Sequence, residues 1–150
     1  TLLLAVAIYD FRTKIIAPAL MQPFFILALI GLAARWFSGA ALAEIVATVI
    51  AAILVFVFFA GLWFFSKGRA MGFGDAELAS AIVLFLGASY GVTALLFAFW
   101  LGALFGILLI ASGRAHLKSA IPFGPFLVAG AFIAIFWGQA LLRAWFAIFL

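Results

Sequence analysis

The sequence predicts an all-α fold, a polytopic membrane bundle of about six helices with the first one truncated, and three observations lead there. Of 150 residues, 71% are hydrophobic and 8% are charged, whereas a soluble domain carries roughly a quarter of its residues charged. So much apolar surface in a water-soluble globule would leave large exposed patches. The apolar runs also come in lengths near the ~20 residues that a helix needs to cross ~30 Å of hydrocarbon. Finally, runs such as 46–59 are apolar on every side, without the alternation that a barrel strand shows. In lipid a helix satisfies its own backbone groups, which makes it the default spanning element.

Taken in order, residues 1–9 are apolar but too short to span. With neither a charged leading region nor a small-residue cleavage site, they read as the end of a longer helix and not as a signal peptide. A polar stretch at 10–14 precedes a span over about 18–34, which ends at Arg35. After a loop rich in Gly and Ala, a third span covers about 44–65. The stretch 66–75 is polar and holds Lys67, Arg69 and several glycines. A short fourth span over about 76–88 turns across 87–91 into a fifth over about 92–111. Arg114, His116 and Lys118 mark the polar stretch 112–124, and a sixth span over about 125–142 is followed by Arg143. The last residues, 144–150, are apolar but too short to cross. Without a linker, repeat or low-complexity tract, residues 1–150 read as a single membrane-embedded domain.

Counting spans alternately puts the stretches 10–17, 66–75 and 112–124 on one face. That face carries Arg12, Lys14, Lys67, Arg69, Arg114 and Lys118; the other has only Arg35 and Arg143. The basic face is expected in the cytoplasm. The net charge of +4 is thus a topological signal; scattered between apolar runs, it makes no basic face for nucleic acid. The absence of cysteine excludes disulfides and thiolate metal sites. Trp36 and Trp137 fall near the outer boundary and Trp63 near the inner one, as in an aromatic belt. The spacings Gly87-x-x-x-Gly91 and Gly102-x-x-x-Gly106 suit close helix packing within the chain, with a homodimer face as the alternative.

The chain has four acidic residues, Asp10, Glu44, Asp75 and Glu77. Acids at membrane depth are costly and are functional candidates by default. Glu44 opens a helix on the outer face, where it complements the helix dipole. Asp10, Asp75 and Glu77 share the basic face. Asp75 follows Met71-Gly72-Phe73-Gly74, and two glycines beside one aromatic allow a bend or a close approach before the acid. Two carboxylates held together at a partly apolar site share one proton, as in aspartic proteases. Other hydrolytic machinery is missing from the sequence. It has no Cys nucleophile, no HExxH around His116 and no Ser in a GxSxG elbow.

Gly72-Phe73-Gly74-Asp75, followed by Ala76-Glu77-Leu78-Ala79, resembles the GxGD motif of the type IV prepilin peptidases. Tyr9-Asp10-Phe11-Arg12-Thr13-Lys14 resembles that family's first aspartate segment, and Ala120-Ile121-Pro122-Phe123-Gly124-Pro125 its proline-rich approach to the last helix. The resemblance implies a metal-free, cofactor-free aspartic endopeptidase in the bacterial inner membrane, with Asp10 and Asp75 as the catalytic pair at the cytoplasmic edge. Its substrate would be a type IV prepilin or a type II secretion pseudopilin, cut between a basic leader and an apolar helix. Gly72, Phe73 and Gly74 would shape the backbone around Asp75, and the turn of Pro122, Phe123, Gly124 and Pro125 would pack nearby. Arg12, Lys14 and Glu77 would touch substrate or tune the pair.

Two departures stand out. Glu77 occupies a position where the family commonly has Lys, and nothing in this sequence matches the family's upstream cysteine-containing domain, so the chain reads as a short form or a fragment and methyltransferase activity is not carried over. A proton- or cation-coupled transporter, or an inactive homologue acting in assembly, is the alternative reading. A transporter calls for acids near mid-membrane and broken helices, whereas both aspartates fall at one edge.

Overall fold

The computed structural model describes residues 18–68, 71–113 and 122–149, with side chains described for 22–68, 71–113, 122–140 and 143. Five helices and no strands occur among these residues: α1 (Pro18–Phe37), α2 (Leu42–Ser66), α3 (Phe73–Leu86), α4 (Ala88–Ala111) and α5 (Gly124–Phe149). The all-helical expectation holds, with boundaries a few residues from those read in the sequence. Residues 1–17, including the expected truncated first helix, lie outside the described residues, as do 114–121 with His116. Among the described residues, α2 and α4 are long and apolar enough to cross a membrane. At 14 residues, α3 rises only ~21 Å and is too short to span alone.

Each helix ends for a local reason. Beyond α1, Gly39 donates to Trp36 and Ala40 donates to Arg35, with Gly39 at φ +89°. This is the paired 5→2 and 6→1 closure that a left-handed residue permits. The same closure after α2 is made by Lys67 and Gly68 onto Phe64 and Trp63. Here the left-handed residue is Lys67, at φ +54°. The turn expected over 87–91 is a single residue, Gly87 at φ +89°, and α4 resumes at Ala88. At the start of α5 the Phe123 carbonyl accepts from Phe126 and Leu127, while Pro125 sits in the first turn, where its missing N–H costs nothing.

The shortest helix is the centre of the fold. Helix α3 packs against all four others, and Asp75, Ala76 and every residue from Leu78 to Leu84 are buried. Small residues allow this crowding. A Cβ at Gly91 would come within 2.7 Å of the Val83 Cα, and one at Gly130 would strike the Ala94 carbonyl. Gly91 therefore serves contact between α3 and α4, in keeping with the packing expectation. Gly130, where α4 and α5 meet backbone to backbone, carried no spacing signal. Aromatic rings fill the remaining space, with Phe59 of α2 against Phe99 of α4 and against Phe123.

Candidate functional site

Asp75 is the third residue of α3 and is only 5% exposed. The Gly72 N–H donates to Asp75 Oδ2 at 3.2 Å, and the Asp75 N–H donates to the Gly72 carbonyl at 3.2 Å. The carboxylate thus closes the first turn of its own helix, at the end where the dipole favours negative charge. Neither neighbouring glycine supplies the expected bend. Gly72 caps the helix at φ −74° and Gly74 lies inside the first turn, so neither adopts the left-handed conformation.

Phe73 fixes this start in place. Its ring stands edge-on to Phe56 at 5.9 Å and to Trp63 at 5.3 Å, both on α2. Trp63 is thus a packing partner of the motif, beyond the belt position read in the sequence. Pro122, Phe123, Gly124 and Pro125 form the entrance to α5, and Phe123 reaches Phe59 at 6.0 Å and Phe99 at 5.1 Å. Phe59 follows Phe56 by three residues, so both motif segments brace the same helix on neighbouring turns. A Cβ at Gly102 would meet the Phe123 ring at 3.3 Å. Gly102 therefore makes room for this aromatic inside the chain. Asp10, Arg12 and Lys14 lie outside the described residues.

Glu77 points elsewhere. Residues two apart on a helix do not share a face, and while Asp75 is buried, Glu77 is half-exposed along a groove of about 580 Å³ between α1 and α2. Its walls include Phe25, Leu29, Ile53 and Phe56, with Ser80 and Leu84 of α3 as the floor. Gln22 and Glu77 are its polar members besides Ser80, whose hydroxyl donates to the Glu77 carbonyl at 2.9 Å. Gln22 was missed in the sequence, although it is the single amide in the apolar run 18–34.

The far end of α3 is also built from residues without a motif. Arg35 Nη2 donates to the carbonyls of Leu84 at 2.6 Å and Phe85 at 3.0 Å. Thr48, fully buried, accepts from the Ala88 N–H at 3.2 Å and donates to the Glu44 carbonyl at 2.9 Å. Cations are favoured at a helix C-terminus, so the helix carries complementary charge at both ends.

Comparison with known proteins bears on what this arrangement serves. Prepilin leader peptidase/N-methyltransferases are among the relatives. That of Aeromonas salmonicida is 39% identical over 75 residues, which is 50% of this chain and 26% of that protein. That of Burkholderia pseudomallei is 33% identical over 141 residues, covering 91% of this chain and 44% of the relative. That of Bacillus subtilis is 27% identical over 146 residues, covering 95% and 55%. The chain therefore spans about half, or less, of the length of these relatives. No solved structure matches. The sequence profile described as the type IV leader peptidase family matches residues 1–107, a range that takes in Asp10 and the capped start of α3. A match running through both aspartate segments identifies the lineage: this chain belongs to the type IV leader peptidase family.

Proposed function

We propose that this chain is a multi-pass aspartic endopeptidase of the bacterial inner membrane. It removes the basic leader of a type IV prepilin or pseudopilin at the cytoplasmic face. The observation that carries the reading is the buried Asp75, held by its own helix start, in a stretch that the charge pattern assigns to the basic face. Asp10 supplies the second carboxylate from the same face. Counted over about six crossings, the polar stretches 10–17, 66–75 and 112–124 all fall on one face of the membrane.

In this mechanism the two carboxylates share one proton. The ionised one takes a proton from water, and the resulting nucleophile attacks the scissile carbonyl while the protonated one donates to its oxygen. Collapse of the tetrahedral intermediate returns a proton to the leaving amine. The Gly72 N–H on Oδ2 fixes the orientation of Asp75, so that reaction does not have to await a rotamer change.

The test is cleavage of a prepilin with a basic leader by the purified protein in detergent, beside Asp10→Asn and Asp75→Asn. Cleavage by the parent protein that falls below detection in both variants is the expected result. Retained cleavage in either variant overturns the aspartate pair. A folded parent protein that does not cut sends the reading to the inactive homologue or, if liposomes show ion flux, to the transporter.

A further inference from the structure

The groove between α1 and α2 is apolar along most of its length and polar at one end. Glu77, Ser80 and Leu84 form one stripe of α3, at spacings of three and four, and Gln22, Phe25 and Leu29 form the matching stripe of α1. Among the described residues Glu77 meets no counter-charge. Ser80 engages only its backbone carbonyl, and no hydrogen bond or ion pair to the carboxylate occurs there. Charge at membrane depth is expensive and is ordinarily matched by a partner.

Both polar side chains lie toward the same end. Arg35, near the end of α1, reaches the carbonyls of Leu84 and Phe85 near the end of α3, so the two helices run the same way. Gln22 and Glu77 are each the fifth residue of their helix. From Glu77 the floor continues to Leu84, ~10 Å further along the axis, which is less than the ~15 Å of hydrocarbon in one leaflet. The groove opens sideways, because α1 and α2 meet only sparsely and wall residues Leu29 and Ile53 are 50% and 57% exposed. Its volume of about 580 Å³ is that of a site for one small ligand.

We propose that this groove binds one phospholipid with a primary-amine headgroup, its ammonium on Glu77 and an acyl chain along the floor toward Leu84. The inference goes beyond the peptidase reading and does not depend on it. Shape selects a lipid, since the entrance faces sideways, the walls are apolar and the floor fits within one leaflet. Charge selects the headgroup. An ammonium donates up to three hydrogen bonds, and such charge-assisted bonds to a carboxylate are roughly twice as strong as neutral ones. A choline headgroup keeps the positive charge but has no N–H to donate. A glycerol headgroup leaves the negative phosphate uncompensated, and Glu77 repels it. Gln22 can donate its amide N–H to the phosphate or to an ester carbonyl. Glu77 and Gln22 thus answer the two opposite charges of one zwitterionic headgroup.

The test titrates three lipids with identical acyl chains into the delipidated full chain in detergent and counts bound lipid by native mass spectrometry. Phosphatidylethanolamine is expected to bind about twofold more tightly than phosphatidylcholine and at least about fivefold more tightly than phosphatidylglycerol. Glu77→Gln should bring the three within about twofold of one another. Leu29→Trp, which fills the groove from an exposed wall position, should weaken all three by about fivefold or more. A second measurement needs no variant to fold. Phosphatidylethanolamine with a photoreactive group in its acyl chain should label residues 25–32 and 49–56 in preference to the exposed Leu104, Ile107 and Leu108 of α4. Equal affinity for the three headgroups, or an order unchanged by Glu77→Gln, overturns the proposal. Labelling spread evenly onto α4 does so as well, and leaves the groove to bulk lipid.

Discussion

The two ends of α3 are held in different ways. At the Leu86 end, Arg35 and Thr48 reach in from α1 and α2 to bind Leu84, Phe85 and Ala88, partners 40 to 50 residues away in sequence. At the Phe73 end the bond from the Gly72 N–H to Asp75 Oδ2 and that from the Asp75 N–H to the Gly72 carbonyl each span three residues, and the Phe73 ring packs on Phe56 and Trp63 of α2. One end is tied down by polar groups whose bonds are all directed at backbone. The other carries a carboxylate that closes the first turn of its own helix. The difference suggests a division of labour in which the Arg35 end carries stability and the Asp75 end carries chemistry.

This division can be broken by experiment. The largest expected effect is on activity at the Phe73 end, where Asp75→Asn is expected to abolish cleavage and leave the folded fraction nearly unchanged. Next is Gly87→Ala, which forces a side chain into φ +89° and onto the Arg35 guanidinium. It should cost about 2–3 kcal/mol, read as a lower unfolding midpoint in detergent. Any protein still folded should retain its turnover; a turnover loss without a midpoint shift would erase the distinction between the ends. Arg35→Ala removes one donor from two carbonyls and should cost about 1–2 kcal/mol by the same measurement. If Arg35→Ala and Asp75→Asn lowered the midpoint equally, the Arg35 end would no longer be the stability end.

Sequence and structure agree most where the physics is local. Helix type followed from apolar runs with no place but lipid or a helical core. Asp75 stood out through its glycines, which sit in the cap and first turn of α3 in ordinary conformations; of the two roles open to them, bend or close approach, no bend is needed there. What sequence could not show depended on distance across the fold. Arg35 looked like a topology marker because nothing in its neighbourhood says that the C-terminus of another helix lies beside it. Thr48 passed as one more residue in an apolar span. Glu77 was legible as a departure from the family pattern, but its direction required α1 and α2 to be seen standing apart over α3.

The smallest prediction sharpens the comparison at the Phe73 end. Lys67 closes α2 in the left-handed conformation, at φ +54°, where its Cβ crowds the following carbonyl. Its hydrogen bond to Phe64, and the bond from Gly68 to Trp63, are made by backbone N–H groups and survive any substitution that keeps the N–H. Lys67→Gly should therefore keep the closure, relieve the strain and stabilise the protein by about 0.5–1 kcal/mol, a rise in unfolding midpoint. The same change removes a cation from the basic face, so cleavage of a prepilin reads out a second property. Stabilisation with unchanged cleavage means that Lys67 serves topology alone. Stabilisation with altered cleavage means that backbone strain is kept at this end because the charge is needed there, which would extend the functional end of the molecule from α3 to the end of α2.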